Sequence, residues 1–201
     1  MIHEENTTII DIAFKKLVDD ILDGSPDYVG TFNTKDLPDL HNYDAVKVPN
    51  ILLEMRTFFE KLELIKHHSL YYFELKDVDS AQRVKALLDG HRKPKKKQKA
   101  GYRVVPATNT YDNTNSTILY LGVRRGAPNK SGLTHLAGRI NQHLGYYKNG
   151  STQGLQLHHY ARGLDFEITL KVYEFQKLDS NYLNVIEKMM AKKLNPLCGR
   201  H

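Results

Sequence analysis

Residues 69–75 read SLYYFEL. The alternation of β-forming residues marks this stretch as a strand, because successive side chains on a pleated backbone leave it on opposite sides. Two later stretches have the same texture, TILYLGV at 117–123 and FEITLKVYEF at 166–175. Between and after them the apolar spacing changes from two to about 3.6 residues, the period of a helix. LTHLAGRINQHLG, 133–145, places Leu133, Leu136, Ala137, Ile140 and Leu144 on one helical face, and LNVIEKMMAKKL, 183–194, does so with Leu183, Ile186, Met190 and Leu194. The order strand, strand, helix, strand, helix predicts an α+β fold: a small three-stranded antiparallel sheet flanked by helices.

The remainder attaches to this unit. Residues 8–23 repeat apolar positions at Ile10, Phe14, Leu17 and Ile21 and meet a stop at GSP, 24–26. The following TFNTKDLPDLHNYDAVKVPN is turn-rich, and a second helix is expected from Pro49 to Leu64. Residues 1–66 thus read as an N-terminal helical extension, and 67–201 as the main domain. Between the first two strands, DSAQRVKALLDG predicts a helix capped by Asp79 or Ser80 and ended by Gly90. STQGLQLHHYA, 151–161, is expected to form another short helix.

The chain of 201 residues is long enough to bury a core. It has no apolar run of membrane-spanning length, its start lacks the features of a signal peptide, and its one cysteine, Cys198, has no internal partner. A soluble cytoplasmic protein is the expectation, with its oligomeric state open. The net charge of +6 is unevenly distributed. From Gly90 to Leu164 there are thirteen Lys or Arg against one acid, Asp112, so this window holds +12 and the rest −6. A basic centre between acidic ends suits a polyanion, nucleic acid first and a membrane surface second, since no strong apolar helix face accompanies the cations. Lys95, Lys96 and Lys97, within HRKPKKKQKAGYR, and Arg124 and Arg125 after the second strand are the candidate nucleic-acid contacts.

Five residues could carry chemistry together: Tyr71 and Tyr120 on strands, Arg139 and His143 four apart on one helix, and Glu187 on the last helix. A strand tyrosine is ordinarily a packing residue, and a lone helix arginine is ordinarily solvated. Glu187 is harder to dismiss, because it sits in the apolar stripe of its helix and a carboxylate there needs a salt-bridge partner or a metal ion. His67-His68 and His158-His159 are neighbours along the chain, so each pair diverges; they read as surface or phosphate-contact residues rather than zinc ligands.

In this order the residues resemble the GIY-YIG nuclease superfamily. Ser69-Leu70-Tyr71 stands for the first half-motif, Tyr120-Leu121-Gly122 for the second, Arg139 and His143 in GRINQH for the helical pair, and Glu187 in VIEKMMAKKLNP for the metal-binding glutamate. Three positions depart from the pattern. Ser69 replaces a glycine, Tyr71 precedes Tyr120 by 49 residues, which requires a basic insertion at about 78–116, and Gly199 stands where an asparagine is frequent. Asn195 lies nearby without an assigned role.

The resemblance implies a metal-dependent endonuclease hydrolysing phosphodiester bonds in DNA, with RNA the less favoured substrate. Glu187 would hold Mg²⁺ or another divalent cation such as Mn²⁺, Arg139 would face the scissile phosphate, and Tyr71 would deprotonate or position the water, with Tyr120 and His143 in its hydrogen-bond network. As a base Tyr71 would need nearby cations to lower its pKa from about 10. The alternative is a non-catalytic nucleic-acid-binding module on the same scaffold.

Overall fold

A computed structural model of the chain describes residues 2–39, 53–92, 104–126, 135–146 and 153–199. The elements run α1 (Ile2–Asp23), β1 (Tyr28–Asn33), α2 (Leu53–Leu62), β2 (His68–Leu75), α3 (Val78–Arg92), β3 (Ile118–Arg124), α4 (His135–Leu144), β4 (Glu167–Phe175) and α5 (Leu183–Leu194). The sheet has four antiparallel strands in the order β1-β4-β2-β3, one more than the three expected. The additional strand, β1, comes from the N-terminal extension, where the sequence predicts a helix stop and a turn-rich stretch rather than a strand. It is six residues long and has Gly30 at its middle, so its alternation is weak, and its pairing with β4 supplies the order that the local sequence lacks.

The pleat of β2 decides what each face of the sheet carries. Tyr71 and Phe73 face α2, α3 and α4, within a core that also holds Phe59, Leu88, Ile140 and Leu170. Leu70 and Tyr72 face α1 and α5, against Ile186, Met190 and Ile21. Helices therefore cover both sides of one sheet, and each side excludes water from the backbone hydrogen bonds of the strands.

β2 and β3 are direct neighbours, with Tyr71 opposite Gly122 and Phe73 opposite Tyr120, and the bond from Leu75 N–H to Thr117 O (2.9 Å) closes the pair. The long connection between them is α3 and the stretch 104–117, docked through Lys85 to Asn113 (2.8 Å) and Thr108 to Asp89 (2.8 Å). The C-terminal stretch threads between this connection and β3: Leu197 N–H and Cys198 N–H donate to Ile118 O and Leu119 O, and Leu197 O accepts from Asn109 N–H. Asn195, left-handed at φ 49°, ends α5 with its N–H on Ala191 O, so it is a helix cap. Gly199 sits at φ 121°, a conformation that disfavours any side chain.

Three local expectations are corrected. α3 begins at Val78 because Asp77 Oδ1, rather than Asp79 or Ser80, caps it by accepting from Ser80 N–H (2.7 Å), and the helix continues through Gly90 to Arg92. Residues 153–161 form one 3-10 turn, Leu157–His159, instead of a helix, since Gln156 is left-handed at φ 57° and the backbone before it is bonded elsewhere. His158 and His159 are half-buried, packed against Tyr146 and His91 rather than lying on the surface. Lys95, Lys96, Lys97, the first residues of the expected second helix, and residues 127–134 lie outside the described residues. Among the described residues no helix is long and apolar enough to cross a membrane.

Candidate active site

The site forms where β3, the edge strand, passes between α4 on one face and α5 on the other. Gly122 is the local reason the tyrosine of β2 reaches this edge. A Cβ there would lie 2.7 Å from Tyr71 Oη and 2.9 Å from Tyr71 Cζ, so only glycine lets the Tyr71 ring lie across β3. The ring then stacks beside that of Tyr120, centroids 6.4 Å apart.

Arg139 and His143, one turn apart on α4, meet both tyrosines. Arg139 Nε–H donates to Tyr71 Oη (3.2 Å) and Nη2–H to Tyr120 Oη (3.2 Å), while Nη1–H is held by Gln142 Oε1 (2.6 Å) and Gln153 O (2.5 Å). His143 is fully buried, and its Nδ1 accepts from Leu155 N–H (3.0 Å). Burial first, then the charges of Arg139 and Arg124, hold its pKa well below the usual histidine range, so the ring is neutral. With Nδ1 accepting, the one ring proton is on Nε2, which donates to Tyr71 Oη at 3.0 Å. Tyr71 Oη thus accepts two N–H bonds. Both acceptor directions are taken, and its own O–H hydrogen is the part left to turn elsewhere.

Burial raises the pKa of Tyr71, and the neighbouring Arg139 and Arg124 only partly counter it. Tyr120 is likewise raised, by burial and by Tyr71. The cations that a tyrosine base would require are therefore in place, yet desolvation outweighs them, and Tyr71 is a phenol in the unliganded protein. Burial disfavours the Arg139 charge, but the two tyrosine oxygens more than offset this and raise its pKa.

Glu187 projects from α5, whose stripe residues Leu183, Ile186 and Met190 are buried against the sheet. It is half-buried itself and lies within electrostatic reach of Arg139, Tyr71 and Tyr120. Burial pushes its carboxyl up to about 7, against the pull of Arg139 and Lys188. Among the described residues there is no group of three or more His, Cys, Asp or Glu side chains able to hold a metal. A single carboxylate still fits Mg²⁺, which commonly keeps several waters and takes one or two carboxylates plus substrate phosphate.

Arg124 and Arg125 line a cavity of about 300 Å³ with Ser180, Leu183 and Asn184, one turn of α5 before Glu187. The sequence reading missed Gly122 as a steric requirement, Gln142 as a brace for Arg139, and the 153–155 stretch whose backbone orients both Arg139 and His143. Gln142 was detectable as the residue three after Arg139 on one helix. Backbone partners from a loop leave no signal in side-chain identity. The chain matches no protein-family model, no curated protein and no solved structure.

Proposed function

We propose that this protein is a metal-dependent endonuclease that hydrolyses phosphodiester bonds in DNA, on a scaffold of GIY-YIG type. The observation that carries the reading is the gathering of Tyr71, Tyr120, Arg139 and His143, drawn from three separate elements, into one hydrogen-bonded cluster within electrostatic reach of Glu187. Two donors on one buried phenolic oxygen fix its position and leave only its O–H to turn toward a bound water, the arrangement that a water-positioning group requires.

In this reading Glu187 would hold a divalent cation, which supplies charge neutralisation for the phosphoryl and leaving oxygens. Arg139 presents its guanidinium to the phosphoryl group, held in place by Gln142 and the Gln153 carbonyl. His143, fixed as the Nε2–H tautomer by Leu155, keeps the Tyr71 oxygen aimed. Tyr71 positions the attacking water through its remaining O–H. Neutralising Glu187 removes one influence that raises the Tyr71 pKa, so the phenol becomes more acidic when the carboxylate is engaged.

The assay is cleavage of plasmid and oligonucleotide DNA with Mg²⁺ or Mn²⁺, comparing wild type with Glu187→Ala and Arg139→Ala. Equal nuclease activity in all three would sink the site assignment. One observation favours the second reading, a non-catalytic nucleic-acid-binding module: Nε and both Nη atoms of Arg139 are already engaged within the protein. That reading expects salt-dependent DNA binding that persists in Glu187→Ala, with no turnover under any metal.

A further inference from the structure

The Arg139 guanidinium is almost fully engaged within the protein. Of its five N–H groups, Tyr71, Tyr120, Gln142 and the Gln153 carbonyl take four. One N–H remains, too few for the bidentate grip by which a guanidinium holds a phosphate. A substrate with a charged backbone therefore needs a second cationic subsite beside the cluster, and one lies where β3 ends against α5.

The cavity of about 300 Å³ at that place is lined by Arg124, Arg125, Ser180 and Asn184, over Val123 and Leu183. Both arginines are exposed, and among the described residues no acid lines the cavity. Two acids flank it: Asp179, whose Oδ1 accepts from Asn181 N–H (2.8 Å), and Glu187, assigned above to the cation. The N–H groups of Leu183 and Val185 are bonded inward, to Ser180 O (3.4 Å) and Tyr182 O (3.1 Å), so the walls offer side chains rather than a bare helix end. Two guanidiniums with a hydroxyl and a carboxamide beside them form the kind of set that contacts phosphate oxygens along a nucleic-acid backbone.

We infer that this cavity holds a phosphate of the DNA strand, next to the phosphate that the cluster around Tyr71 and Arg139 faces. Arg124 follows Gly122, against which the Tyr71 ring lies, by two residues of β3, about 7 Å. Asn184 precedes Glu187 by three residues of α5, about 4.5 Å of rise. The charge of Arg124 acts on both Tyr71 and His143, so the cluster and the cavity share one cation. A strand laid across the Tyr71 oxygen and Glu187 thus meets the two arginines within about one nucleotide. The inference rests on the nuclease reading for the identity of its ligand, and it extends that site to Ser180 and Asn184.

The test is DNA binding by the full chain in EDTA, read as fluorescence anisotropy of a labelled duplex between about 50 and 200 mM salt. Arg124→Ala with Arg125→Ala is expected to weaken binding about tenfold or more and to make log K against log salt shallower by about one, as for one lost phosphate contact. Asn184→Ala, a neutral change on the facing wall, is expected to weaken binding about threefold to tenfold with the slope unchanged. All three residues are exposed, so none of these changes removes a core contact. In NMR spectra the duplex shifts the Nε–H signals of both arginines and the side-chain amide of Asn184. Unchanged affinity and slope in the double variant overturns the inference. So does a response of these signals to inorganic phosphate and not to DNA, which makes the cavity a free-anion site. Because EDTA removes turnover, the two readings separate: a wild type that cuts DNA with Mg²⁺ while the double variant keeps its slope retains the nuclease and loses the subsite, and a shallower slope without cleavage does the reverse.

Discussion

Tyr71 and Tyr72 are adjacent in the chain and lie on opposite faces of the same strand, with opposite outcomes. Tyr71 enters a polar cluster in which Arg139 and His143 donate to its oxygen. Tyr72 packs against Tyr173 with centroids 6.2 Å apart and lies under Lys171 Nζ, on the face held by Ile186 and Met190. The pleat alone separates them. What differs is the element overhead: α4 brings a guanidinium and an imidazole down onto one face, whereas α5 brings chiefly aliphatic side chains onto the other. Tyr72 is also hydrogen-bonded, to Tyr173 of β4, so what separates the two is the kind of partner: a guanidinium and an imidazole for Tyr71, a second phenol for Tyr72.

Arg139→Ala removes the donor shared by both tyrosines and is expected to lower DNA cleavage by about 10³-fold or more, measured under single-turnover conditions; Arg139→Lys recovers little, because an ammonium lacks the planar fork. Tyr71→Phe is expected to lower the rate by about 10²–10⁴-fold and, by leaving two donors unpaired, to cost about 1–3 kcal/mol of stability in denaturant unfolding. Tyr72→Phe should change the rate less than about threefold and stability by less than about 1 kcal/mol. Equal effects from the two phenylalanines would erase the distinction between the faces.

Gly122→Ala tests the steric route by which Tyr71 reaches the edge. The added methyl has to displace the Tyr71 ring, and a loss of about 1–3 kcal/mol with a parallel fall in activity is expected. Acidity sharpens the contrast at Glu187. Its folded pKa of about 7 lies above the ordinary 4.5, so the folded chain holds this proton more tightly. The stability it contributes is therefore complete below the ordinary value and is lost as pH rises through about 7; Glu187→Gln flattens that part of the stability profile. Binding of Mn²⁺, followed by calorimetry, should run the other way, strengthening by up to about tenfold per pH unit up to this pKa. The smallest effect is expected for Lys95→Ala, Lys96→Ala and Lys97→Ala combined: weaker DNA binding with a shallower salt dependence, and a maximal rate within about threefold of wild type.

Much of the scaffold was legible because it is periodic. The three strands begin and end within a residue or two of where alternation placed them, and the stripe of α5 is buried at Leu183, Ile186 and Met190 as its spacing implies. β1 was not legible. Six residues around a glycine carry little intrinsic preference, and pairing with β4 determines their state. The 153–156 stretch was misread for a related reason: its residues suit a helix, but its backbone serves Arg139 and His143 instead of bonding to itself.

For the candidate site, the sequence by itself determined which residue types were present, in what order, and which strand or helix carried each. It also determined that a carboxylate would interrupt the apolar stripe of α5. Only the tertiary structure decided that Tyr71 rather than Tyr72 meets Arg139, that His143 carries its proton on Nε2, and that Glu187 lies within electrostatic reach of the same cluster. The physical reason is one of range. Periodicity and propensity act over a few residues and survive in the sequence, while burial, proton placement and electrostatic coupling depend on groups brought together from distant parts of the chain.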